Sequence, residues 1–254
     1  MSIGRLTKKL HSYLRTLNTR EQFRPSVLSI LYNANYFIKK GVYQGVKRNS
    51  DELQGKLLDI GCGNKPYRDL FTVFEYIGID IENEAHDHTN DEVDVIFDGR
   101  KIPFNDQSFD SVFSSEVFEH VFHLEELIQE SNRVLKEEGK LLITLPFVWI
   151  EHEKPNDFAR YTTFGIINLL ERNGFIIERS EKSSTYIEAI FQVIAAYIYH
   201  TIIPKNSILK WPLTVLLISP INILGISLSF IFPNNHDFYL NNIIVALKKK
   251  DSSS

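Results

Sequence analysis

Apolar residues cluster in short runs through the middle of the chain, near 56–60, 76–80, 93–97, 110–114 and 140–145, and each run predicts a strand. After the fourth run the spacing changes to that of a helix. Leu124, Leu127, Ile128, Val134 and Leu135 share one face of a helix predicted over Leu124–Lys136, with Gly139 after its end. Thr163–Asn173 reads as another, opened by Thr162 or Thr163 and closed at Gly174. Phe175–Ser180 and Tyr239–Lys248 supply a sixth and a seventh strand. Strand and helix alternate as an α/β, doubly wound, mostly parallel seven-stranded sheet requires.

The pattern breaks between the sixth and seventh strands, where roughly 55 residues stand, more than a plain surface loop runs. No charge occurs from Ala189 to Pro204 with His200 neutral, and none from Trp211 to Asn235. The second run is long enough to span ~30 Å of hydrocarbon as a helix. Pro212, Pro220 and Gly225 are expected to interrupt it, however, and Lys205 and Lys210 stand between the two runs. A two-crossing hairpin would carry those lysines to the far side, against the positive-inside tendency. The expectation is an apolar helical insert, 183–237, that enters the membrane as a monotopic or re-entrant element. Its soluble alternative is an extra helical layer on the domain or in a homodimer interface.

Charge extends this picture to the other end. Residues 1–50 sum to +9 and the remainder to −13, for a net −4. Ile3, Leu6, Leu10, Tyr13, Leu14 and Leu17 recur at helical spacing, with Arg5, Lys8, Lys9 and Arg15 among them. Such a basic amphipathic helix suits an anionic membrane surface, or packs its leucines on the domain. It is not a secretory signal, because no apolar core of about 7–15 residues follows the charges. No nucleic acid is expected as a partner: the basic residues form no known module and the remainder is acidic. Four segments result, namely a basic helical 1–50, a core 51–182, the insert 183–237, and a last strand with polar tail 238–254.

The chemistry concentrates at Leu57-Leu58-Asp59-Ile60-Gly61-Cys62-Gly63-Asn64, followed seventeen residues after Gly63 by Asp80. A strand ending in a glycine turn lets a ligand approach the main chain. An acid at the tip of a second strand is the usual acceptor for ribose hydroxyls. The dinucleotide fingerprint wants a third glycine where Pro66 stands, and the Asp59 carboxylate would repel a pyrophosphate while suiting a cation. NAD-dependent oxidoreduction is thereby disfavoured. S-adenosylmethionine (SAM), with an ammonium and a sulfonium but no phosphate, fits. Cys62 is the single cysteine, so there is no intrachain disulfide and no zinc set built from cysteines.

These residues resemble the first motif of the class I SAM-dependent methyltransferases. The likeness continues through Val95–Gly99, Ile102-Pro103-Phe104, Ser108–Phe113 and Glu116–Val121, in the order seen in the methyltransferase type 11 group. It implies a Rossmann-like methyltransferase fold and a cofactor set of Asp59, Gly61, Cys62, Gly63, Asp80, Ile81, Asp98, Gly99, Ser115 and Glu116, with Asp98 meeting the adenine amino group. As a plain turn residue before Gly99, Asp98 would do nothing of the kind. The loop Pro146–Thr162 resembles the His…Pro-x-Asp-x-x-Arg-Tyr-Thr segment of small-molecule and glycan-cluster methyltransferases. Its aromatic walls, imidazole and carboxylates suit binding and deprotonating a hydroxyl. His152 is the expected base and Asp157 a second catalytic candidate, unless Asp157 and Arg160 form an ion pair that holds the loop. Glu116, Glu119 and His120 match a Glu-x-x-Glu-His segment of ubiquinone-biosynthesis O-methyltransferases, where a divalent metal has been proposed. The expectation here is no metal, with the segment lining the cofactor pocket.

The expected function is therefore SAM-dependent O-methylation of a lipophilic or lipid-linked small molecule or glycan intermediate, in the cytoplasm or at the inner face of its membrane. The competing reading is a non-catalytic SAM-binding scaffold that docks a partner.

Overall fold

Strands whose side chains are covered on both faces read as continuous apolar runs, and the centre of the sheet is built that way. Leu57, Leu58 and Ile60, like Leu141, Leu142, Ile143 and Leu145, are buried on the two sides of the sheet. The computed structural model describes residues 21–81, 92–205 and 208–250. Seven strands form one sheet: β1 (Lys56–Ile60), β2 (Glu75–Ile81), β3 (Val95–Phe97), β4 (Phe109–Ser115), β5 (Leu135–Pro146), β6 (Phe175–Lys182) and β7 (Asn241–Lys248), in the order β3-β2-β1-β4-β5-β7-β6. β7 runs antiparallel to both of its neighbours, and the pairs among β1 to β5 are parallel. The described residues also form five α-helices: α1 (Tyr36–Asn49), α2 (Leu124–Val134), α3 (Thr163–Arg172), α4 (Tyr186–Tyr197) and α5 (Lys210–Ile231).

The expected alternation is only partly realised. Among the described residues, α2 joins β4 to β5 and α3 joins β5 to β6, but β1 leads to β2 through a single 3₁₀ turn, Arg68–Leu70. Instead of a helix, that connection buries Tyr67 and Phe71 against the Phe113 ring, with centroids 6.1 and 4.9 Å away. No α-helix separates β3 from β4.

Helix α2 also stops earlier than its periodicity suggests. Leu135 turns extended and pairs with Phe109 in the sheet. Gly139 is not its cap but lies in β5 beside the register shift between Phe109 and Ser111. The carbonyls at the helix end are served from β7, where the buried Lys248 ammonium donates to Asn132 O at 2.7 Å and Leu135 O at 2.8 Å. A cation there also complements the negative end of the helix dipole. Helix α3 opens as expected, with the Thr162 side chain accepting from Gly165 N–H.

The described chain divides into two compact units, one taking the chain up to Tyr43 with Ser184–Tyr239, the other Gln44–Ser183 with Leu240 onward. The second unit holds the sheet. In the first, α5 is continuous over 22 residues, which corrects the expected interruption. Pro212 sits in the first turn, where its missing N–H has no intrahelical partner, and Pro220 forfeits one internal hydrogen bond without breaking the helix. Gly225 lies where the Phe37 and Phe191 rings press on α5; a Cβ there would come within 2.8 Å of both. The basic amphipathic helix expected over Ile3–Leu17 lies outside the described residues.

Candidate active site

Parallel register brings the carboxyl ends of the strands together. Ile60 pairs with Ile79 on one side and Ser114 on the other, and Ser115 pairs with Thr144. Strand order reverses between β1 and β4, and ligands of open α/β sheets bind in the crevice above such a point. The glycine turn lies at this edge. Gly61 and Cys62 N–H both donate to Ile79 O, at 2.8 and 3.1 Å. Gly61 (φ +70) and Gly63 (φ +44) occupy left-handed backbone, and a Cβ on Gly61 would meet Val117 Cγ2 at 2.3 Å. The turn therefore rests directly on the segment after β4.

The sequence-predicted cofactor residues gather along this edge. Asp80 accepts from Gly63 N–H at 2.9 Å and from Ile81 N–H at 2.8 Å, tying the tip of β2 to the turn. Asp59 is buried and accepts from the Tyr76 hydroxyl at 2.5 Å. Burial pushes its carboxyl up to about 7, against the opposing pull of that hydrogen bond. Cys62 is also buried, and burial pushes its thiol upward, so it is not a thiolate nucleophile. Asp98 is exposed; one of its oxygens accepts from Arg100 and Lys101 N–H at 2.8 Å each, which is the turn geometry. Gly99 (φ +76) faces Ile81, whose Cγ2 would lie 3.2 Å from a Cβ placed there. Glu116 (φ +56) accepts from Thr144 at 2.8 Å and from Asn241 at 2.7 Å, and Ser115 Oγ lies 2.8 Å from Thr144 Oγ1.

A second group forms where the loop after β5 meets the turn after β4. The imidazoles of His120 and His152 cross edge to face, with Nε2 atoms 3.2 Å apart. Glu119 is buried beside them, 3.6 Å from His120 Nε2, and neither of its oxygens receives a hydrogen bond. Burial, and then the charge of Glu116, holds its carboxyl well above the usual range. Burial and His120 hold His152 below its ordinary value, so it is a neutral imidazole near pH 7. Asp157 is clamped by Arg160 through contacts of 2.5 and 2.7 Å and accepts from His152 N–H at 3.0 Å. Burial would raise its carboxyl, but those hydrogen bonds outweigh it and hold it at about 2. Asp157 therefore fixes the loop and orients His152; a carboxylate that acidic is a poor proton acceptor.

Glu116, Glu119 and His120, the segment matched to the ubiquinone-biosynthesis enzymes, do not form one set, since Glu116 turns to Thr144 and Asn241. Among the described residues, Glu119, His120 and His152 bring their ligand atoms within 4.8 Å of one another.

Residues 58–143 match the methyltransferase domain family. The chain is 30% identical over 183 residues to an uncharacterized protein of Methanocaldococcus jannaschii, an alignment covering 70% of this chain and 80% of that protein. The chain belongs to the class I SAM-dependent methyltransferases. Its cofactor is SAM. The fold agrees with those of solved methyltransferases. A SAM-dependent methyltransferase from Mesorhizobium loti superposes with a TM-score of 0.51 at 15% identity, over 84% of this chain and 100% of that one. Phosphoethanolamine N-methyltransferase 2 of Haemonchus contortus, in complex with SAM, gives 0.52 at 20% identity, over 92% of this chain and 60% of that one. With a 3₁₀ turn after β1 in place of a helix N-terminus, this methyltransferase also lacks the usual seat for a pyrophosphate there.

Sequence reasoning missed Tyr76, Thr144 and Asn241, which hold the carboxylates of Asp59 and Glu116. The even spacing of the β1 and β2 runs could have pointed to Tyr76. Nothing local marks Asn241, which arrives from the last strand.

Proposed function

We propose that the methyltransferase transfers its methyl group to an oxygen of a lipophilic or lipid-linked acceptor, a glycan intermediate among them, at the cytoplasmic surface of a membrane. In that reaction the sulfur–methyl bond breaks as the oxygen–methyl bond forms, S-adenosylhomocysteine leaves, and the hydroxyl proton is lost. The sulfonium is already electrophilic, so the protein's work is alignment, exclusion of water and removal of that proton. The observation that carries the oxygen assignment is the pair of facing imidazoles at the strand edge, His120 and His152, with Glu119 beside it. His152, the base expected from sequence, belongs to it. Asp59, Gly61, Gly63, Asp80, Asp98 and Glu116 are the proposed cofactor contacts. The lipophilic assignment is supported by α5, a helix without charge after Lys210, of which 22% of the most apolar stretch is buried.

The test combines product mass spectrometry on cell extracts incubated with labelled SAM and the His152→Gln variant. His152→Gln should lower turnover by about 10²-fold or more while leaving S-adenosylhomocysteine affinity intact. Wild-type turnover in that variant would remove His152 from the reaction. An intact protein that binds SAM and methylates nothing in lipid-containing extracts would be a scaffold, the competing reading.

A further inference from the structure

We propose that Glu119, His120 and His152 form a site for one divalent transition-metal ion, zinc-like in its ligand preference. The inference deepens the proposed reaction and rests on it only for the ion's purpose. The site itself is argued from geometry.

The proton positions come first. His120 Nδ1 lies 2.7 Å from Asn156 O, which can only accept, so that nitrogen carries the proton. His152 Nδ1 faces Ile150 O at 3.3 Å and the ionised Asp157 Oδ2 at 3.3 Å, again only acceptors. Each ring thus keeps a proton on Nδ1, which leaves Nε2 as the nitrogen that can offer a lone pair. Those two nitrogens face each other at 3.2 Å, with the buried Glu119 carboxyl group 3.6 Å from one of them. Two such lone pairs turned on one point repel unless a positive charge lies between them, and an ion there would also let the Glu119 carboxyl lose its proton and bind. A carboxyl group 1% exposed, with no hydrogen bond to either oxygen, lacks a partner that the same ion would supply.

The separations fit a metal. Two ligands about 2.0–2.1 Å from a tetrahedral ion stand roughly 3.3 Å apart. The outer contacts are also those of a metal site: each ring donates its other N–H to a carbonyl or carboxylate, fixing tautomer and orientation. Two imidazoles and one carboxylate suit zinc or a neighbour of similar softness better than magnesium, which prefers oxygen. Three protein ligands leave a fourth position for water or the acceptor oxygen, whose proton the ion would loosen. His152 would then act as a ligand and not as a free base. A single shared proton between the rings is the competing occupant.

Titration of the intact, chelator-washed protein with Zn²⁺ separates these. The wild type should bind one equivalent, and Co²⁺ in its place should give the intense visible absorption of a tetrahedral site. Glu119→Gln and His152→Gln should each weaken Zn²⁺ by more than about 100-fold, and Asp157→Asn, which touches only the outer contact, by about 10–100-fold. S-adenosylhomocysteine affinity, measured on the same samples, should not change and reports that each variant is folded. A wild type that binds S-adenosylhomocysteine but no Zn²⁺ overturns the site and leaves the methyltransferase reaction standing. So does Zn²⁺ binding unaffected by Glu119→Gln and His152→Gln. Zn²⁺ binding lost in those variants supports the site even if oxygen methylation fails its own test.

Discussion

At the scale of single residues, two acids at the strand edge carry distinct expectations. Asp80 holds the Gly63 and Ile81 amides with its two oxygens, which leaves its remaining lone pairs for ribose hydroxyls. Asp80→Ala should weaken S-adenosylhomocysteine by roughly 2–4 kcal/mol, the worth of two charge-assisted hydrogen bonds. Unchanged affinity by isothermal titration would mean that the ribose is held elsewhere. Asp59 titrates at about 7, so its charge appears only as the pH passes that value. A cofactor with an ammonium group prefers the ionised form, and affinity should rise through about pH 7 and level off above it, by at most about tenfold per unit. Without cofactor the sign reverses. The folded state holds the proton more tightly than the unfolded state, so this contribution to stability is full below the unfolded value and is lost as pH rises toward 7. Asp59→Asn should flatten the affinity profile between about pH 6 and 8, and a flat profile in the wild type would separate Asp59 from cofactor binding. Asp59, Gly61, Gly63 and Asp80 were legible because a turn and a strand tip impose residue types locally. The pairing of His120 with His152 was not, because it depends on how a loop after β5 folds back on the turn after β4.

At the scale of elements, hydrophobic period located the strands and both sheet-covering helices, and failed where a distant residue completes an element. Gly139 looked like a helix stop, yet the end of α2 is closed by Lys248, more than a hundred residues on. Pro220 looked like a break, yet α5 runs through it because one lost hydrogen bond in a 22-residue helix is tolerable when the flanking turns remain intact. The start of α1 makes the same point. Its orphan Phe37 and Ile38 amides donate to Gln192 Oε1 at 3.1 and 3.2 Å, and the Gln192 amide donates to Ala34 O at 2.7 Å. Gln192 is thus a helix cap supplied by α4, fully buried in the apolar stretch that follows Glu188. Gln192→Leu keeps the bulk but strands two donors and one acceptor, and should cost about 2–4 kcal/mol. Thermal unfolding should show this loss with S-adenosylhomocysteine affinity retained at lower temperature. A variant as stable as wild type would show that water replaces the cap.

At the scale of the whole molecule, a sheet unit that carries the cofactor edge is joined in sequence to a unit rich in exposed apolar side chains. Trp211, Leu216 and Phe230 of α5 are 70%, 67% and 85% exposed. Leaving such residues in water forgoes roughly 1.5–3 kcal/mol each, and a bilayer interface would recover part of that. The excess of lysine and arginine over residues 1–50 would add attraction to anionic lipid. The full-length methyltransferase should therefore sediment with anionic liposomes at low salt, and high salt should release it only in part, since salt screens charge but not apolar insertion. Removing residues 1–20 should weaken the association without abolishing it. Replacing Trp211, Leu216 and Phe230 together by glutamate should abolish it. Those side chains face outward from α5, so the triple variant should still bind S-adenosylhomocysteine as the wild type does. If the intact chain stays in the supernatant with anionic liposomes at low salt, the membrane reading fails. The exposed face of α5 would then belong to a protein contact, and a monodisperse dimer by light scattering, converted to monomer by the same triple substitution, would identify it as a contact between two copies of this chain.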